Sequence, residues 1–494
     1  MANWDLLILD PIIFVLGIGS LVVMFILEKI KGRTLLFYLE IILAWIANGI
    51  LVKILAGDLE KAINLNVSDT TFILMLIFGT AIFAIVFKPL ATFITGKVHS
   101  RRLWMYVAYV TTLMALIFLM FNKSGMWIGF YFAAVILVAF SMSSSSLYYL
   151  FSNEQHYYRV NGLGVGYVVA LTMAFATFCG TTLTAVNTHL NTNLAYYLLL
   201  AFGMVCVGLA VALSFVKKEK GSLVASFETA TISTLIHTKT SSIVLLIVMA
   251  LLISAAQQLT HGLIDKMFVA FSLAHHGYSG ANIVATVDSI DVLMTGLTVI
   301  IGYYLYRFVM RVIGIRFYTL VCAFISVICI SIQSFLSSGV WIVVLNAVTA
   351  LMFSQILFTL FSIAIFQNYR RHNVPITGYV AAATQGGIFI DDLVENILIK
   401  NKVSIFAKYN TINSIIHNYD ANTYRSDYDG FNTMLTAVCC VAICITLITI
   451  LIWYFRSSNL LAEFIDLKQA LINQKNTYRK SMVDRAKTPV DFGN

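Results

Sequence analysis

The chain has 494 residues, 60% of them apolar and only 11% charged, with four prolines and a formal net charge of +9. A soluble protein of this length would divide into two or three domains and carry far more surface charge. The composition therefore excludes an ordinary water-soluble globule and leaves lipid as the solvent for the surplus apolar surface. Nor is the positive charge a nucleic-acid footprint, because Lys and Arg fall in short gaps between apolar runs.

A helix crossing the hydrocarbon core needs about 20 apolar residues. By that measure the sequence predicts an all-α polytopic protein with about thirteen membrane helices, at 7–28, 34–57, 70–95, 103–121, 125–150, 163–187, 193–216, 242–266, 284–306, 316–337, 340–366, 376–400 and 431–455. The first lacks the basic start and small-residue cleavage site of a signal peptide. Basic residues follow every second segment: Lys29, Lys31 and Arg33; Lys97, Arg101 and Arg102; Arg159; Lys217, Lys218 and Lys220; Arg307, Arg311 and Arg316; Arg370 and Arg371; then the basic tail. The positive-inside rule places the N-terminus outside a cell membrane and the C-terminus in the cytosol. Residues 1–33 then form an extra helix, 34–216 a six-helix set, 217–241 a cytosolic linker, 242–455 a second six-helix set and 456–494 a cytosolic tail. The gap 401–430 reads as a polar external loop. The stretch 460–475 reads as a short amphipathic helix on the cytosolic side.

The two sets look like copies. "NGILVK" at 48–53 matches "HGLIDK" at 261–266, "GKVHSR" at 96–101 matches "GYYLYR" at 302–307, and "GYVVA" at 166–170 matches "GYVAA" at 378–382. The matches fall in corresponding helices at nearly one offset. Two six-helix halves joined by a cytosolic linker resemble the major facilitator superfamily over about 34–455. That family's loop signature, roughly G-x-L-x-D-R, is met by Gly96, Val98, Arg101 and Arg102, and by Gly302 and Arg307 in the second half. The acidic position holds Ser100 in one copy and Tyr306 in the other. The resemblance implies two bundles related by a pseudo-two-fold axis, alternating access, a monomer, and gating loops at the five Gly and Arg positions other than Val98. The family's Gly-Pro-Gly antiporter pattern is absent from the fifth helix, which points away from antiport. Segment 7–28 lies outside the family plan.

Charged side chains within the bilayer are expensive and usually face protein or a wet cavity. "GIFIDDLVEN" at 387–396 puts three carboxylates in the eleventh core helix. At 3.6 residues per turn Thr384, Asp391 and Glu395 form one stripe, with Gln385, Asp392 and Asn396 beside it. The eighth core helix carries Asp288, Asp291, Thr295 and Thr298. The seventh carries Ser254, Gln258, His261 and Asp265, with Gln257 adjacent. In the family these helices line the central cavity, so the expected site is Asp391, Asp392, Glu395, Asp288, Asp291, His261, Gln257, Gln258 and Gln385, with Asn48 from the first helix. Repelling carboxylates that trade a proton could couple transport of a small polar metabolite to the proton gradient as a symporter. Lys53 and Lys266, equivalent by the repeat, form an alternative pair of anion clamps for an organophosphate-type carrier. A lipid-linked carrier or a membrane protein without transport is the alternative of another class. Glu40 reads as a structural partner of Lys31 or Arg33.

No phosphate-binding G-x-x-x-x-G-K-[ST] loop, Rossmann unit, H-E-x-x-H or nucleophile elbow occurs, so neither an enzyme nor a cofactor is expected. The seven cysteines show no ligand spacing and read as small core hydrophobes.

Overall fold

The computed structural model describes residues 10–64, 80–98, 100–121, 128–155, 162–190, 193–216, 219, 239–335, 339–370 and 374–487. Arg159, Lys217, Lys218, Lys220, Arg371 and most of the linker expected at 217–241 lie outside them. The first six-helix set comprises α2 (Arg33–Asn64), α3 (Thr80–Val98), α4 (Arg102–Phe121), α5 and α6 (Ile128–Met142 and Ser144–Gln155, one helix broken at Ser143), α7 (Gly162–Leu190) and α8 (Asn193–Ser214). α1 (Asp10–Leu27) precedes it. The second set comprises α9 and α10 (Thr240–His261 and Leu263–His275), α11 (Gly280–Tyr304), α12 (Ile315–Gln333), α13 (Gly339–Arg370), α14 (Ile376–Lys400) and α16 (Tyr424–Lys487), with the short α15 (Ile412–Asn418) before the last. A π-helical turn at Leu305–Met310 continues α11.

Among the described residues eleven helical spans are long and apolar enough to cross a membrane. The 18-residue α1 and the 25-residue α14, which carries the carboxylates, complete the thirteen expected. The protein is a multi-pass membrane protein.

Packing repeats from one set to the other. α2 lies along α7 and α8, as α9 lies along α14 and α16; α4 packs on α5, as α12 packs on α13. Two equivalent seams join the bundles, α3 against α14 and α7 against α11. The repeated glycines explain the closest approach. A Cβ on Gly180 would fall 2.9 Å from the Ile50 nitrogen and 3.0 Å from Gly49 Cα, so α2 and α7 meet backbone to backbone. The partner of Gly49 in the repeat, Gly262, faces α14 side chains instead: a Cβ there would collide with Glu395 and stand 3.3 Å from Asp391 Oδ2.

Four expectations change. The helix expected to end near 266 breaks at Gly262, whose backbone is extended, and resumes to His275. The loop 401–430 is a folded cap. Ile405, Phe406, Tyr409 and Ile415 are buried in it, and Phe271 of α10 stacks with Tyr424 and packs on Tyr409, Tyr419 and Phe431. Residues 460–475 are a stretch of the 64-residue α16, not a separate helix. Cys440 and Cys444 face outward on that helix, while the other five cysteines are buried.

Candidate functional site

The polar residues of the second set gather at the end of the molecule away from the basic loops. On α11, Asp288 and Asp291 stand one turn apart less one residue and share a face. Lys53, from α2 of the other bundle, reaches both: its Nζ lies 3.1 Å from Asp288 Oδ1 and 3.7 Å from Asp291 Oδ2. Lys266 on α10 meets Asp291 at 2.9 Å. The two repeat-related lysines thus converge on one pair of aspartates, and Lys53 makes the contact across the bundles.

The break at Gly262 exposes the first N–H groups of α10. Glu395 accepts one of them, from Leu263, a carboxylate at a helix N-terminus. Asp391 is buried beside the same break, whereas Asp392 is exposed. Neither makes a side-chain hydrogen bond or ion pair among the described residues. His261, the last residue of α9, donates from Nε2 to the Asn346 carbonyl at 2.9 Å. Gln257 and Gln258 are half-buried and Gln385 is buried. Asn48 lies elsewhere, inside the first bundle, where its Oδ1 accepts from Ser141 at 2.8 Å. Six carboxylates (Asp265, Asp288, Asp291, Asp391, Asp392, Glu395) therefore share this region with Lys53 and Lys266.

At the basic end the loop signature is completed by acids from outside it. Arg101 donates to Glu154 of α6 at 3.0 Å and to Thr95 at 2.8 Å. Glu219 accepts from the Ser100 hydroxyl and the Arg101 N–H, both at 2.8 Å. Arg102 pairs inside the bundle with Glu40, which is 0% exposed and also accepts from Tyr109 at 2.6 Å. Glu40 therefore reaches the arginine of α4 rather than Lys31 or Arg33, because its side chain points into the bundle. Gly96 is buried one turn earlier. In the second copy, Gly302 lies against Gln355 and Leu171. The carboxylate that Tyr306 does not supply comes from the turn directly after α1: Glu28 Oε1 accepts from Tyr303 at 2.8 Å and pairs with Arg307 and Arg311, each at 3.4 Å.

α1 itself packs on α11 of one bundle and α7 of the other. Ser20 donates to the Val299 and Ile300 carbonyls, and Phe14 stacks on Phe175 at 5.9 Å.

Two residues outside the expected site stand out. Asp265, 3% exposed, has Oδ2 held by the amides of Gln333 at 3.0 Å and Asn346 at 3.1 Å, while Oδ1 has no partner. It sat on the predicted stripe of the seventh helix, but faces α12 and α13 because the break at Gly262 turns α10. Lys88, 5% exposed on α3, is an ammonium inside the membrane span. The signal for it was in the sequence: one lysine in a long apolar run.

No family model and no curated protein matches the sequence. Solved structures do. A bacterial homolog to the human lysosomal transporter Spinster, in an inward-facing and occupied conformation, aligns with TM-score 0.54 at 12% identity over 87% of this chain and 97% of its own. The inward-facing, unoccupied structure of a bacterial Spinster homolog aligns with TM-score 0.54 at 11% identity over the same shares. At that identity the likeness is one of fold: the chain shares the helical architecture of those structures.

Proposed function

We propose that the protein is a secondary transporter that moves a small polar solute across a cell membrane by alternating access, coupled to protons. Its N-terminus lies outside and its C-terminus in the cytosol, and it works as a monomer without a cofactor. The observation that carries this reading is the ionic bridge from Lys53 to Asp288 and Asp291. It ties one bundle to the other at one end, which is the contact that bundle rocking must break and remake. A half-buried bridge of this kind holds the closed end weakly enough to be reversed by solute and proton binding. The carboxylates around it, in excess of the lysines, offer proton sites in the same region. The fold shared with a Spinster homolog supports transport as the activity. Lys53 and Lys266 are engaged by aspartates, which argues against their serving as open anion clamps.

The test is solute uptake in proteoliposomes with and without an imposed pH gradient, across sugars, amino acids, nucleosides, organic acids and polyamines. Lys53→Asp alone should lower flux of the identified solute by about tenfold or more, and Lys53→Asp with Asp288→Lys should restore much of it. Flux untouched by the single reversal would remove the bridge from the mechanism. No flux of any solute would remove the transport reading.

A further inference from the structure

Lys88 lies in α3 directly before Pro89, deep in the span Ala81–Val98. A charged side chain at such depth is a functional candidate by default, and its partner should be identifiable. Among the described residues the ammonium has neither a hydrogen bond nor an ion pair. α3 packs on α14 across the seam between the bundles and on α5 and α6 within its own. Thr92, one turn on and on the same face, donates to the Lys88 carbonyl at 3.2 Å and to Ser146 of α6 at 3.4 Å. Across the seam, Gly378 of α14 sits so close that a Cβ would be 2.7 Å from the Lys88 carbonyl oxygen.

The acids on these packed elements are spoken for or remote. Glu154 of α6 is held by Arg101. Asp391 of α14 is thirteen residues beyond Gly378, about 20 Å along the helix at 1.5 Å per residue. Among the described residues the face around Lys88 therefore offers hydroxyls and no carboxylate. Burying an ammonium without a counter-charge is strongly unfavourable, and no acid among the described residues offsets it here. By contrast, Lys53 and Lys266 each have an aspartate within 3.1 Å.

We propose that Lys88 is an anion-recognition point between the bundles, and that the ligand presents a carboxylate or phosphate group to it. The ligand's being the transported solute rests on the transport reading above; the anion site does not. An anion seated there lies on a seam that alternating access must rework, so it can bind one state better than the other. Anion binding at Lys88 and proton binding among the carboxylates together describe an anion–proton symporter.

The test uses purified full-length protein. In detergent, thermal unfolding is followed against inorganic phosphate, succinate and glucose 6-phosphate, with spermidine as the cationic control. A separate arm adds mixed micelles containing phosphatidylglycerol. At least one anion should raise the unfolding temperature and spermidine should not. Lys88→Gln should weaken that anion about 10- to 100-fold, the loss of one buried charged hydrogen bond. Lys88→Arg should retain most of the affinity. Lys97→Gln, at the exposed basic end of the same helix, should leave it unchanged, and Lys88→Met replaces Lys88→Gln if the latter does not fold. Binding of soluble anions identifies a small solute, and binding of phosphatidylglycerol alone identifies a lipid headgroup. Absence of any anion effect on the wild type, or one that survives in both neutral variants, overturns the proposal. Anion binding without flux in liposomes would keep the site and remove transport; flux of a solute bearing no anionic group would do the reverse.

Discussion

Replacing Arg102 by Met should be among the most destabilising single changes in the first bundle. Its guanidinium pairs with Glu40 and lies beside two touching rings, 4.4 Å from the Phe151 centroid and 5.3 Å from that of Phe37. Glu40 is fully buried, so the variant leaves a carboxylate in the bundle interior without its guanidinium. Breaking a buried pair from one side costs about 3–5 kcal/mol. The flanking aromatic contacts add about 0.5–2 kcal/mol. Arg102→Lys keeps the charge but not the planar fork, and should fall between wild type and Met. The decisive variant is double: Arg102→Met with Glu40→Gln removes both charges and should recover most of the loss, leaving about 1 kcal/mol from the unmatched amide and Tyr109. Denaturation in mixed micelles gives the free energies, with flux recorded beside them. A cost below about 1 kcal/mol for Arg102→Met, or a double variant as unstable as the single, would refute the buried-pair account and return Arg102 to the role of a surface gating residue.

Glu28→Gln should lower stability by only about 0.5–1 kcal/mol, since its arginine partners are partly exposed and screened, and should speed proteolysis near Arg307. Asp265→Asn should cost less than about 1 kcal/mol, because an amide oxygen can still accept from Gln333 and Asn346; Asp265→Leu strands both amides and should cost about 2–3 kcal/mol, read by the same denaturation. Phe271→Ala empties the centre of the aromatic cap and should cost about 3–5 kcal/mol while making residues 401–430 protease-sensitive; a cap that stays resistant would mean its order comes from elsewhere.

Helix count, the repeat and the two-bundle fold were legible because each rests on local pattern. Apolar length marks the spans, and small residues such as Gly49 and Gly262 recur where helices must touch. Contacts between distant segments were not legible. Lys53 and Asp288 are 235 residues apart, and nothing in the periodicity of either helix says that they meet. Glu28 and Glu219 were hidden for a related reason: Glu28 closes a segment read for its apolar length and Glu219 lies in a gap read for its positive charge, so a single acid carried no signal. The cap at 401–430 was masked by composition, since its polar majority hides Phe406, Tyr409 and Ile415 at positions that a loop does not need to make apolar. Lys88 was absorbed into an apolar run because one charge does not disqualify a membrane span. It is the lack of a partner among the described residues, not the residue itself, that gives it meaning.

The position of α1 makes two halves of a symmetric machine unequal. The seams α3–α14 and α7–α11 are equivalent by the repeat, yet among the described residues α1 packs along the second, gripping α7 through Phe175 and α11 through Ser20 and the arginines held by Glu28. Under the alternating access proposed above, a pair of bundles free at both seams would swing like a seesaw, and one fastened along a single edge like a door on its hinge. The opening would then be wider on the α3–α14 side, which is the side where Lys88 stands.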